Sequence, residues 1–77
     1  MTEIIPDNAP RLHVRYEGRS WNVLLSDLDL GPLSADDDVR QALARYLDVP
    51  EGSFKIYVIE RHRNGNITVR PEAVFGI

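Results

Sequence analysis

The sequence predicts a small α+β domain in which one helix covers a mixed four-stranded sheet, with the order β-β-α-β-β. Three observations carry that prediction. Apolar and polar residues alternate strictly on both sides of Gly18, a stripe with helical spacing begins after Ser34, and an Asn64-Gly65 pair separates two further apolar runs. Strict alternation marks a half-buried strand, and recurrence at i, i+3 and i+4 marks an amphipathic helix. Asn-Gly between apolar runs marks a hairpin.

Residues 1–10 read as a flexible arm, because Pro6 and Pro10 bracket Asp7, Asn8 and Ala9 and a proline cannot donate to a sheet ladder. Ile4 and Ile5 are its apolar docking points. The folded domain is expected over 11–71. Leu12, Val14 and Tyr16 fall on one side of the first strand, with Arg11, His13, Arg15 and Glu17 on the other. After a turn at Gly18, Trp21, Val23 and Leu25 resume the alternation against Ser20, Asn22 and Ser26. Residues 27–33 form a connector broken by Gly31-Pro32, with Leu28, Leu30 and Leu33 as expected core plugs.

Ser34-Ala35-Asp36-Asp37 has capping-box spacing, so Ser34 is expected to cap the helix, and Asp36, Asp37 and Asp38 suit the positive end of its dipole. Val39, Ala42, Leu43, Tyr46 and Leu47 form the expected core stripe, with Arg40, Gln41 and Arg45 facing out. Asp48-Val49-Pro50-Glu51-Gly52 ends the helix. The second hairpin is expected to begin at Phe54, with Phe54, Ile56 and Val58 inward and Lys55, Tyr57 and Ile59 outward. Ile67 and Val69 return on the last strand, Pro71 ends it, and 72–77 is a C-terminal tail.

Length and charge bound the function. Seventy-seven residues support one domain, with stability low in the usual range of ~5–15 kcal/mol. Cysteine is absent, which excludes a disulfide framework and thiolate metal sites and fits a cytoplasmic protein. No apolar run reaches the ~20 residues of a membrane span, and MTEIIPDNAP lacks the regions of a signal peptide. The net charge of −3 argues against wholesale electrostatic binding of nucleic acid. Lys55 is the only lysine among nine basic residues.

A helix crossover between two hairpins places the first and last strands side by side and parallel, which is the β-grasp arrangement. Over 11–69 the chain resembles the ubiquitin-like β-grasp family. The resemblance is carried by the opening hairpin, the capped helix and the exit Leu47-Asp48-Val49-Pro50-Glu51-Gly52, which is similar to the Gly-Ile-Pro-Pro stretch after the helix of ubiquitin. The direct second hairpin looks closer to minimal four-stranded members. Conjugated modifiers and sulfur carriers of the family end in an exposed Gly-Gly whose carboxylate is adenylated. The chain, which resembles the bacterial-type members, ends Val74-Phe75-Gly76-Ile77, so the sulfur-carrier reading is poor. The resemblance implies an alternative, a modifier precursor activated at Gly76 by an E1-like enzyme after a processing peptidase removes Ile77. A third reading is a small subunit of a larger assembly.

Catalytic chemistry has no foothold. His13 and His62 lack a cysteine partner or metal-ligand spacing, the serines lie in no nucleophile motif, and the aspartate run reads as a helix start. No cofactor or metal is expected. Binding is the stronger reading. With Phe54, Ile56 and Val58 inward, the open sheet face carries Tyr57 and Ile59 at its centre, ringed by His13, Arg15, Arg61 and Arg70, with Arg11, Lys55 and Thr68 beside them. An aromatic anchor among arginines is how protein-recognition patches are built, and ubiquitin-like proteins are read through an apolar patch on this face. The expected function is therefore a non-enzymatic protein-interaction module.

Overall fold

The structure, a computed structural model, describes residues 9–72. Four strands, β1 (Arg11–Tyr16), β2 (Arg19–Leu24), β3 (Tyr57–Arg61) and β4 (Ile67–Pro71), form one mixed sheet in the order β2-β1-β4-β3. One helix, α1 (Asp36–Leu47), covers one of its faces. The β1–β2 and β3–β4 pairs are antiparallel hairpins, and β1 and β4 run parallel at the centre. Ile4, Ile5, Gly76 and Ile77 lie outside the described residues.

The first hairpin follows its alternation. Glu17 and Gly18 both take positive φ (51° and 78°), the two-residue turn whose twist matches that of the strands it joins. Leu12, Val14 and Val23 are buried beneath the helix, with Trp21 and Tyr16 packed on the same core. Ile67 and Val69 of β4 lie beside Leu12 and Val14 in register and are equally buried. Leu28 and Leu30 plug the core as expected, whereas Leu33 does not. It stands 95% exposed on the turn before the helix.

The helix departs from expectation in two ways. Ser34 does not cap it. The serine hydroxyl accepts the Gly31 N–H at 2.8 Å while the Ser34 N–H reaches the Gly31 carbonyl at 3.1 Å, which closes a local turn. Ala35 takes the cap position with no side-chain hydrogen bond, so the first-turn donors face only the charges of Asp36, Asp37 and Asp38. The buried stripe is Val39, Leu43 and Ala44, not one that includes Tyr46, which is 48% exposed. Arg40 is half-buried and turned toward β3. Its guanidinium donates to the Phe54 carbonyl at 3.1 Å and the Tyr57 carbonyl at 3.4 Å. At the other end Asp48 adopts φ 55°, and the Val49 N–H closes on the Ala44 carbonyl at 2.9 Å, a Schellman-type stop.

The largest departure is in the second hairpin. Glu51–Phe54 is a 3₁₀ turn, Lys55 and Ile56 belong to a connecting turn, and the strand begins only at Tyr57. A one-residue change of phase exchanges the two faces of a strand. Ile56 is left 72% exposed, while Tyr57 and Ile59 pack against the core. Phe54 remains fully buried, now at the end of the 3₁₀ turn, and meets Tyr16 tilted and Tyr57 edge-on, at ring-centroid distances of 5.0 Å each.

Candidate functional site

The phase of β3 decides what the open face of the sheet displays. Leu12 and Val14 point to the helix, so Arg11, His13 and Arg15 of β1 point away from it. By the same alternation β2 contributes Ser20, Asn22 and Leu24, β4 contributes Thr68 and Arg70, and β3 contributes Val58 and Glu60. The register aligns Asn22, His13, Thr68 and Glu60 in one row across all four strands.

The sequence-predicted site is therefore brought together only in part. His13, Arg15 and Arg70 share the open face. Tyr57 and Ile59, the expected apolar centre, lie on the opposite side. Ile59 pairs with Val69 over the core, and burial pushes the Tyr57 phenol above its ordinary pKa, with Tyr16 and Glu17 adding to the shift. Arg61 also leaves the set. It pairs with the inward Ile67 and reaches the helix start, where it meets Asp36 at 2.9 Å and donates to the Ser34 carbonyl. Arg61 is a brace between β3 and α1.

What remains is mainly polar and cationic, with Leu24 and Val58 as its apolar members. Arg11 and Arg15 make no ion pair among the described residues. The one acid within the strands of this face, Glu60, accepts from Arg70 Nε at 2.7 Å. That hydrogen bond first, and the guanidinium charge second, hold the Glu60 carboxyl below its ordinary pKa. His62 Nε2 and Thr68 Oγ1 lie 2.8 Å apart. Two depressions divide the face. One of about 520 Å³ is lined by His13, Arg15, Arg70 and Glu72, and one of about 580 Å³ by Arg11, His13, Asn22, His62 and Arg63.

Sequence reasoning missed Asn22, His62 and Asn66 as members of this surface. For Asn22 the signal was available, since it sits between the inward Trp21 and Val23. For His62 and Asn66 it was not, because their placement depends on how the Asn64-Gly65 turn folds back. Asn66 Oδ1 accepts the Arg11 N–H at 2.9 Å and fixes the start of β1 against that turn. Among the described residues no group of three or more His, Cys, Asp or Glu could hold a metal ion, and no helix is long and apolar enough to cross a membrane. No family model, curated protein or solved structure matches the chain.

Proposed function

We propose that the chain is a non-enzymatic binding module of ubiquitin-like, β-grasp architecture that docks an acidic surface of a partner protein on its open sheet face. The hairpin–helix–hairpin order and the parallel β1–β4 centre are compatible with that architecture. The observation that carries the docking reading is the inward turn of Tyr57 and Ile59. It leaves Arg11, Arg15 and two histidines on a face whose single strand acid, Glu60, is already paired with Arg70. A cationic face on a chain of net charge −3 is a segregation of charge, and charge complementarity across an interface gives association rate and specificity. A protein surface is favoured over a nucleic acid because no Phe, Tyr or Trp among the described residues lies on this face to stack on bases.

The test is an amide chemical-shift titration with a glutamate-rich peptide. Shifts should concentrate at Arg15, Thr68 and Arg70, weaken with added salt, and vanish in Arg15→Glu with the fold intact by circular dichroism. Shifts scattered over the helix face, or surviving Arg15→Glu unchanged, would overturn the reading.

A further inference from the structure

The larger depression differs in kind from the rest of the face. It lies where β1 and β4 begin, measures about 580 Å³, and has no Asp or Glu among the described residues that line it. We propose that it is a binding site for a phosphoryl group carried on a side chain of the partner protein. This rests on the docking reading above, with Arg15 holding the flanking acidic residues.

A phosphomonoester presents three strongly accepting oxygens and a charge of about −1.5 to −2, so it needs donors converging from several directions. A carboxylate is satisfied by a single guanidinium fork. The depression offers the guanidinium groups of Arg11 and Arg63, the imidazoles of His13 and His62, and the amide of Asn22. The two asparagines of the adjoining turn have their oxygens already engaged. Asn66 Oδ1 accepts the Arg11 N–H at 2.9 Å, and Asn64 Oδ1 accepts the Asn66 N–H at 3.0 Å. Each therefore keeps its NH₂ as a spare donor. Donors therefore outnumber carboxylates on this wall among the described residues.

The donors are also held in place. Gly65, at φ 90°, sits so close to Pro10 and Pro32 that an added Cβ would meet their ring carbons at 3.3 to 3.5 Å. The turn carrying Asn64 and Asn66 is thus wedged against the body, and His62 is tied to Thr68. Preorganised donors lose less freedom on binding. Glu60, the cross-strand neighbour of Thr68, is engaged by Arg70 at 2.7 Å.

The experiment compares four probes by amide shift titration of the full chain: inorganic phosphate, a phosphoserine peptide with acidic flanks, the same peptide with glutamate for phosphoserine, and a single-stranded oligoribonucleotide. The phosphoserine peptide should bind at least about tenfold tighter than its glutamate counterpart. Inorganic phosphate should move the same amides at His13, Asn22, His62 and Thr68. Asn22→Asp, on the exposed edge strand, should erase the preference by placing a negative charge in the depression. His62→Gln should reduce phosphopeptide affinity by about tenfold, the scale of a hydrogen bond to a charged group, and leave the glutamate peptide unaffected. Equal affinity for the two peptides overturns the phosphoryl site while leaving the docking reading standing. Failure of every peptide overturns both, and tighter binding of the oligonucleotide overturns a protein source.

Discussion

Two isoleucines three positions apart give the sharpest check on which face β3 shows. Ile59 packs on the core opposite Val69, and Ile56 is 72% exposed. Truncating a buried isoleucine to alanine costs ~2–5 kcal/mol, the lost transfer free energy plus the cavity left behind. Half-burial places Ile59→Ala at the low end, about 2 kcal/mol, whereas an exposed substitution such as Ile56→Ala stays within ~0.5 kcal/mol. In a domain of this size 1 kcal/mol moves Tm by ~4–8 °C, so Ile59→Ala should melt about 8–16 °C lower and Ile56→Ala no more than about 4 °C lower. Thermal melts followed by circular dichroism, with urea unfolding to confirm unchanged m-values, read both variants directly. If Ile56→Ala proves as destabilising as Ile59→Ala, the strand has the opposite phase. Tyr57 and Ile59 then return to the open face, and the cationic surface loses its basis.

Other expectations follow from single contacts. Ala35→Ser supplies the missing helix cap and should raise stability by about 1 kcal/mol in urea unfolding; no gain would mean the first-turn donors are already satisfied. Arg40→Met keeps the aliphatic stem but leaves the Phe54 and Tyr57 carbonyls without their guanidinium donor, at a cost of about 1–2 kcal/mol in the same assay. Gly18 and Gly65 both have positive φ, but only Gly65 also meets neighbours. Gly65→Ala should therefore destabilise more than the ~1 kcal/mol of strain expected at Gly18→Ala, and equal losses would show that Pro10 and Pro32 yield freely. The Glu60 carboxyl is held below its ordinary pKa, so its contribution is present above the unfolded carboxylate pKa and is lost as pH falls through the folded value. Arg70→Ala should return the Glu60 titration, followed by carboxyl ¹³C shifts, to the ordinary range.

The first hairpin was legible because apolar residues hold one parity over 12–16 and the other over 21–25, with Leu24 the one apolar residue out of step. The helix was legible in position but not in face, since Ala44 is small enough to escape a stripe drawn through large residues while Tyr46 fits that stripe by spacing alone. β3 was ambiguous for a physical reason. Phe54, Ile56 and Val58 are apolar on one parity and Tyr57 and Ile59 on the other, so period two selects neither. The choice is made by the 3₁₀ turn at Glu51–Phe54, which spends three residues per turn and delivers Tyr57, not Ile56, to the core. Half of the expected site moved with that choice. His13, Arg15 and Arg70 stayed because β1 and β4 each carry two fully buried apolar residues that fix their phase.

The parallel seam between β1 and β4 has a bearing on how the chain reaches its native state. Each hairpin closes over a handful of residues, an event of ~1–10 μs in isolation. The seam joins Arg11 to Asn66, 55 positions apart, and can form only after a long loop has closed. Neither two-stranded ribbon is durable alone in water, so every strand depends on that late central contact. Folding is therefore governed by chain closure and not by hairpin formation. Opening of the seam releases both ribbons and the helix together, which makes loss of the open sheet face an all-or-none event.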